Sequence, residues 1–415
     1  MKRAAFTCLL LSVSPLALSQ TTSSEPAPVA VKKFAIKNPN LKIDPFIQLQ
    51  AWGVRSLERR SQLDTDPKLD SAEQRTNMYI RRGRFGFRGK PYENLSFMVS
   101  LNYDNTGHDS LGATRGGTNP SSTGSHTVGL WDSYLSWKVS ESDLFHVTAG
   151  YFTPQISRES ITSPFRISSF EQAPSHNYVR RSIIGRNYGR STGINLGGLK
   201  YNDGFGINYN VGVFNKNTTG GTKAETQGDD NSLVYVGRLA ATFGDAEMSK
   251  YGLGYQTNFF GRRNGLTLAL NGSTQERTQL YKANRAIGAD MLFNYKNLNI
   301  DSEFFYLYKK GLGEDSYARG RAGHFRMSYN FHLENGTILE PAFMISSYFG
   351  EERSDNTGRD TLYDVGLNWY LDENNYKLYV HYVNQDGDGS NIVHKDGTSG
   401  YHYGDYVGVG LTLQF

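Results

Sequence analysis

Apolar and polar residues alternate along most of this chain. Leu95, Phe97, Val99, Leu101 and Tyr103 alternate with Ser96, Met98, Ser100, Asn102 and Asp104. Phe205, Ile207, Tyr209, Val211 and Val213 do the same with Gly206, Asn208, Asn210 and Gly212, as do Tyr363, Val365, Leu367 and Trp369 with Asp364, Gly366, Asn368 and Tyr370. A period of two puts successive side chains on opposite faces of an extended strand. The rhythm begins at Ile47, Leu49 and Ala51, recurs at Tyr376, Leu378, Val380 and Tyr382, and ends with Val407, Val409, Leu411, Leu413 and Phe415. These runs approach the ~9–11 residues that a tilted strand needs to cross a bilayer.

The connections alternate in length. Short turns are expected at 89–94, 140–143, 201–204, 332–336 and 372–375, and long polar loops at about 57–76, 105–127, 153–190, 215–230, 350–360 and 386–403. Short turns at one end and long loops at the other suit an outer-membrane barrel. The predicted fold class is therefore all-β: a transmembrane antiparallel β-barrel of about 16 strands over residues 42–415. Residues 243–264 leave the count open, because "YGLGYQTNFF" reads either as another strand or as a long turn. A secreted soluble sandwich would alternate too. It rarely needs this many long strands, and only a closed barrel hydrogen-bonds every strand edge in lipid. The last strand, ending in Phe415, resembles the terminal signature of bacterial outer-membrane proteins, the segment read by the barrel-insertion machinery.

Composition supports a wet-sided barrel. Gly 45, Tyr 27 and Phe 23 are high for the length, as turns and membrane-facing strands require. Lys2 and Arg3, the apolar run from Ala4 to Leu18 and the small-residue ending Ala17-Leu18-Ser19 mark residues 1–19 as a signal peptide. Residues 20–41 read as a flexible periplasmic lead-in. Cys8 is the only cysteine, so the expected mature chain has no disulfide and no cysteine metal site. Loss of Lys2 and Arg3 would halve the formal net charge of +4, which argues against nucleic acid as a partner.

Function has to come from where the charges sit. "YIRRGRFGFRG" at 79–89 mixes four arginines with three aromatic residues. Strand alternation turns Tyr79, Phe85 and Phe87 to lipid and Arg82, Arg84 and Arg88 to the lumen, with Arg81 snorkelling at the rim. Arginine stays charged, and its planar fork matches phosphate or carboxylate oxygens. A row of such groups can pass an anion from site to site. The competing reading is bracing, because Asp104, Asp132, Asp290, Asp301, Glu303, Glu340 and Asp364 also fall on the lumenal face. The long loop 153–190 adds Arg158, Arg166, Arg180, Arg181, Arg186 and Arg190 against Glu159 and Glu171. Loops of this length are commonly functional. Folded inward it would be a constriction; left outside, its charges would meet lipopolysaccharide phosphates or a neighbouring subunit.

At these residues the chain resembles the phosphate-selective porins O and P. "RRGRFGFRG" resembles the arginine-bearing second strand of that family. "GYFTPQISRESITS" resembles its Gly, Phe, Pro, Glu and Thr-Ser segment, here Gly150, Phe152, Pro154, Glu159, Thr162 and Ser163. "VRRSIIGRNYGRSTG" resembles the stretch that closes its third loop. The resemblance implies a homotrimer of 16-stranded barrels that passes phosphate or other small anions without a cofactor. It carries over Arg82, Arg84 and Arg88 as ladder residues, and the loop arginines more weakly. The chain departs from the family at Tyr151 and Thr153, where Gln and Lys are frequent, and its proline is displaced by one. These departures bear on phosphate preference and not on the barrel. A general or sugar-permeable porin is the alternative, with a non-conducting adhesin barrel after it.

Other signals are set aside. Gly83, Gly86 and Gly89 precede no helix that could hold a nucleotide phosphate. "DGDGSN" at 386–391 lacks the glycine and the final glutamate of a calcium loop. His324 and His381 have no second ligand at metal spacing. No nucleophile motif points to an enzyme.

Overall fold

The computed structural model describes residues 42–57, 74–108, 128–185, 189–216, 232–278, 281–313, 316–351, 358–386 and 405–415, with the backbone of 60–61 and 70–71. The segments expected as signal peptide and lead-in, Arg186, and residues 387–391 of the calcium-like stretch lie outside the described residues.

Sixteen strands form the wall. They are β1 Lys42–Ser56, β2 Thr76–Tyr92, β3 Leu95–Asn102, β4 Gly129–Lys138, β5 His146–Phe152, β6 Ser191–Asn202, β7 Phe205–Phe214 and β8 Val234–Gly244, followed by β9 Gly265–Gln275, β10 Tyr281–Tyr295, β11 Leu298–Gly311, β12 Tyr317–Tyr329, β13 Ile338–Gly350, β14 Gly358–Asp372, β15 Tyr376–Asp386 and β16 Tyr406–Gln414. Phe331–His332 extends β12 along β13. Each strand pairs antiparallel with its sequence neighbour, and β1 pairs with both β2 and β16, so the sheet closes and has no free edge. Phe415 and Ile47 exchange backbone hydrogen bonds of 2.9 and 3.2 Å at this seam.

The two faces differ as the alternation requires. Leu239, Leu270, Ile287, Val365 and Val409 point outward and are exposed, Leu270 at 69%. Asn210, Asn271, Asp290, Glu340, Asn368 and Thr412 point inward and are buried. An apolar outside around a polar inside inverts a soluble protein and is stable only with acyl chains against the wall. A lysine at Leu270 would cost on the order of 2–4 kcal/mol near the bilayer midplane.

Two bulges break the alternation at functionally important places. In β2 the register passes from Arg82 opposite Gln50 to Ile80 opposite Ala51, so Arg81 is an extra residue. In β4 it passes from Asp132 opposite Ser100 to Leu130 opposite Leu101, so Trp131 is extra. A bulge turns two consecutive side chains to one face and reverses the parity beyond it. Tyr79 therefore faces inward at 6% exposure and meets Trp52 edge-on at 5.9 Å, while Met78 faces out. This corrects the lipid-facing assignment of Tyr79 and the rim position of Arg81. Both follow from strict alternation, which a bulge defeats.

Residues 245–264 connect β8 to β9 at the same end as the short turns and are not a further strand. The segment folds back into the barrel. Tyr255 forms an isolated bridge with Thr162, the Tyr251 hydroxyl donates to Asn210 Oδ1 at 2.6 Å, and the Tyr255 hydroxyl donates to Asn208 Oδ1 at 2.9 Å.

Candidate functional site

The segment 153–190 supplies most of the chemistry inside the barrel. It carries two short helices, α1 Arg158–Ile161 and α2 Ser175–Ile183. Ser157 caps α1, its hydroxyl accepting the Ser160 N–H at 3.2 Å. The apolar side of α2, Val179, Ile183 and Ile184, joins Phe152, Phe214, Phe305 and Tyr348 in a buried cluster. Tyr178 stacks on Tyr348 at 3.9 Å, and Asn284 donates to the Ser182 carbonyl at 2.7 Å. The helix is amphipathic in the ordinary way, but its apolar face meets the inner wall of a barrel rather than a soluble core.

Buried ion pairs hold the middle of the segment. Arg158 donates to Asp290 on β10 at 2.9 Å and to Glu247 at 2.7 Å. Burial disfavours the Arg158 charge, and the two carboxylates outweigh it and raise its pKa. Glu159 accepts from Arg326 on β12 at 2.8 Å, and the Ser157 hydroxyl donates to Glu303 on β11 at 2.8 Å. Further along, the Phe170 N–H donates to Asp364 at 2.7 Å, Asn368 to the Ser168 carbonyl at 2.6 Å and Lys377 to the Ile167 carbonyl at 2.8 Å. Phe170 stacks on Trp52 at 4.2 Å and covers Gly408, whose added Cβ would lie 2.2 Å from the ring. Breaking a buried pair by removing one partner costs about 3–5 kcal/mol, so these contacts define one seat for the segment.

A second set of charges gathers where the bulges aim it. Arg81 donates to Glu171 at 2.7 Å, and Arg82 pairs with the same carboxylate while donating to Gln50 at 2.5 Å. Burial alone would raise Glu171, but Arg81 and Arg82 outweigh it and hold the carboxyl at about 2. Arg84 grips Asp104 with both terminal nitrogens, one of them at 2.8 Å. Arg190 donates to Asp132 at 3.0 Å. Trp131 takes the Arg84 guanidinium at 3.6 Å and the Arg190 guanidinium at 3.5 Å from its ring centre, cation–π contacts that join β2 to the end of the loop. Among the described residues, the Arg180 side chain donates to the Ser160 hydroxyl and carbonyl, at 3.3 and 3.4 Å. Burial and then the neighbouring Arg190 depress Arg180 to about 9.

The nine arginines singled out in the sequence thus fall into groups. Arg82, Arg84, Arg158 and Arg190 are paired with carboxylates. Among the described residues, Arg88, Arg166 and Arg180 have no carboxylate partner. Arg88 is exposed and Arg166 half-buried, and they are close enough that Arg88 adds to burial in lowering Arg166. Arg181 is exposed at the end of α2. All seven carboxylates expected on the lumenal face lie inside. Arg238, which donates to Asp290 at 2.9 Å, and Glu247 were not among the candidates. Parity on β8 could have found Arg238. Nothing local marks Glu247, which reaches Arg158 through the path of the 245–264 turn.

His324 donates or accepts at 2.9 Å from Asp301 and lies 3.7 Å from Glu159. These three could offer a metal three ligands. Arg326 already occupies two of them, with 2.9 Å to Asp301 and 2.8 Å to Glu159, and supplies the cation that the carboxylates need. His381 bonds to Asp364 at 2.5 Å.

Comparison with known proteins now adds identity to geometry. The family model of phosphate-selective porins O and P matches residues 57–415. No curated protein matches. Among solved structures, the anion-selective porin from Comamonas acidovorans is similar with a TM-score of 0.57 at 13% identity, covering 90% of this chain and 100% of that one. OprB of Pseudomonas putida gives 0.55 at 9% identity over 90% and 94%, and the outer-membrane channel DcaP of Acinetobacter baumannii gives 0.52 at 13% over 91% and 98%. The chain belongs to the phosphate-selective porin O and P family. It is a bacterial outer-membrane porin, a channel by family and by fold.

Proposed function

We propose that this porin passes small anions by diffusion, phosphate among them, with segment 153–190 as its constriction and a homotrimer as its assembly. One observation carries the reading. Where the bulges converge, the guanidiniums of Arg81, Arg82, Arg84 and Arg190 share three carboxylates, those of Glu171, Asp104 and Asp132, and that of Arg180 lies near Arg190 with no carboxylate partner among the described residues. The excess positive charge sits among low-dielectric walls, which focus its field and raise the local anion concentration. Paired arginines set the shape of the passage, and the surplus sets its sign. Arg180, Arg166 and Arg88 are the residues assigned to touch the passing ion, because their donors are not committed to a carboxylate.

The second reading has its own support. The carboxylate pairs of Arg82, Arg84, Arg158 and Arg190 are the bracing expected of a general or sugar-permeable porin. Reversal potentials of single channels in a potassium chloride gradient separate the two. The anion reading expects chloride preference in the natural protein and its loss when Arg88, Arg166 and Arg180 are all changed to Gln. A natural channel with no preference leaves a general porin. A triple variant as anion-selective as the parent assigns the selectivity to other residues.

A further inference from the structure

Gly237 on β8 and Gly272 on β9 are paired across the sheet on its lipid-facing side. They floor a groove of about 590 Å³ in the outer wall, bounded by Tyr235, Thr274, Ile287 and Tyr306. Neither glycine answers a backbone need, since neither has a positive φ. A Cβ at Gly272 would meet nothing within 4 Å, and one at Gly237 only the Asn210 carbonyl at 3.8 Å. Elsewhere on the lipid-facing side an aromatic ring fills the space, as Tyr103 does over Gly83 and Phe97 over Gly89. Glycine weakens a strand interior and commonly marks the close approach of another group. Here two of them, side by side, leave open a space that the described residues do not fill.

The register shows what borders that space. Gly237, Gly272, Ile287, Tyr306 and Arg321 lie abreast across β8–β12. The next outward row toward the long loops is Tyr235, Thr274, Arg285, Tyr308 and Arg319. The row on the other side begins with Leu239 and Leu270, both exposed and apolar. Arg285 touches the groove, and among the described residues its carboxylate contact is Glu276, at 4.0 Å, with both side chains more than half exposed. Arg321 is exposed and has no carboxylate partner among the described residues. Arg319 is engaged, 3.3 Å from Glu351 and over Tyr317. An apolar trough thus runs up to two available guanidiniums among tyrosines, at the end of the barrel that carries the long loops. In outer-membrane barrels those loops are external, so the trough opens into the outer leaflet.

We propose that Gly237 and Gly272 form a seat for one acyl chain of a phosphorylated, multi-acylated lipid of the outer leaflet, with Arg285 and Arg321 holding its phosphates. The chain chemistry follows from the apolar floor. The headgroup chemistry follows from two arginines whose Cα positions lie about 12 Å apart by two strand steps and two residues of rise, a spacing that lets each exposed side chain take a separate phosphate. Binding here ties the wall to the lipid without using the passage, so it is independent of the ion selectivity.

The test is native mass spectrometry of the folded protein, stripped of lipid in detergent and mixed with bis-phosphorylated lipid A. One lipid per barrel is expected to survive activation, and millimolar inorganic phosphate should not displace it. Gly272→Leu should lower occupancy about tenfold, the loss of roughly two buried methylenes. Arg285→Gln with Arg321→Gln should abolish the preference for lipid A over its dephosphorylated form. Should Gly272→Leu fail to assemble, the double Gly237→Ala/Gly272→Ala variant adds only two methyl groups into open space and should show a partial loss. Equal occupancy in the natural protein and the assembled groove variants overturns the proposal. So does equal binding of the dephosphorylated lipid, or a groove variant that changes subunit number and leaves lipid binding intact.

Discussion

Exchanging Glu171 for Gln tests the charge arrangement most directly. The change keeps the length of the side chain and an acceptor for the Gln172 N–H, which Glu171 receives at 2.7 Å. It removes the one carboxylate that Arg81 and Arg82 share. Two consequences can be sized. Glu171 is held at about 2 against a usual 4.5, because Arg81 and Arg82 outweigh burial. That gap corresponds to roughly 3 kcal/mol at about 1.4 kcal/mol per unit, discounted to about 2 for a side chain partly open to water. The loop anchor should weaken by this amount. Meanwhile an anion passing about 6 Å from an uncovered guanidinium gains roughly 0.7 kcal/mol in water. Screening over a Debye length of about 10 Å at 0.1 M salt leaves about 0.4 kcal/mol. A cation loses as much as an anion gains, so the anion-to-cation permeability ratio should rise about two- to fourfold. The assay is the reversal potential of the variant in a planar bilayer, after gel mobility has shown an intact barrel. A ratio that is unchanged or lower would refute the idea that Glu171 neutralises charge facing the passage. The same variant fixes the sign of the acid response. The folded carboxyl titrates below the unfolded one, so its stabilisation is present above pH 4.5 and lost as pH falls through about 2. Trp52 fluorescence, sensitive to the stacked Phe170, should report this loss in the natural protein and not in the variant.

Two further outcomes follow from the same geometry. Arg180→Gln should lower the anion-to-cation permeability ratio in the same bilayer assay, because its guanidinium stays charged and has no carboxylate partner among the described residues; an unchanged ratio would remove Arg180 from the passage. Gly408→Val puts a branched side chain where the Phe170 ring lies, 2.2 Å from the first added carbon. It should destabilise the loop seat by about 1–3 kcal/mol, read as a lower temperature for conversion of the compact barrel to the unfolded band. An unchanged temperature would mean that Phe170 does not sit over that glycine.

Much of this was legible residue by residue. Leu239, Val365 and Val409 alternate with inward neighbours because a wall between oil and water has only two faces. The inward carboxylates Asp290, Asp301, Glu303 and Glu340 could be named by parity alone. The strand count was legible apart from 243–264, where "YGLGYQTNFF" has the composition of a strand and forms none. Its tyrosines find partners in Asn208 and Asn210 inside the barrel instead. Arg81 and Tyr79 were placed on the wrong side because a bulge is a property of two strands in register, not of the strand that carries the extra residue.

The alternation by itself determined that this chain closes into a lipid-facing barrel with a charged interior, since period and polarity are local quantities. It also determined that arginines would gather in that interior. Which of them would be neutralised was decided only by the tertiary structure. Whether Arg158 meets Asp290 and Glu247, or Arg180 meets no carboxylate among the described residues, depends on how a loop, a turn and strands distant in sequence come together. Coulomb energy depends on distance through space, and sequence order does not contain that distance until the sheet has closed.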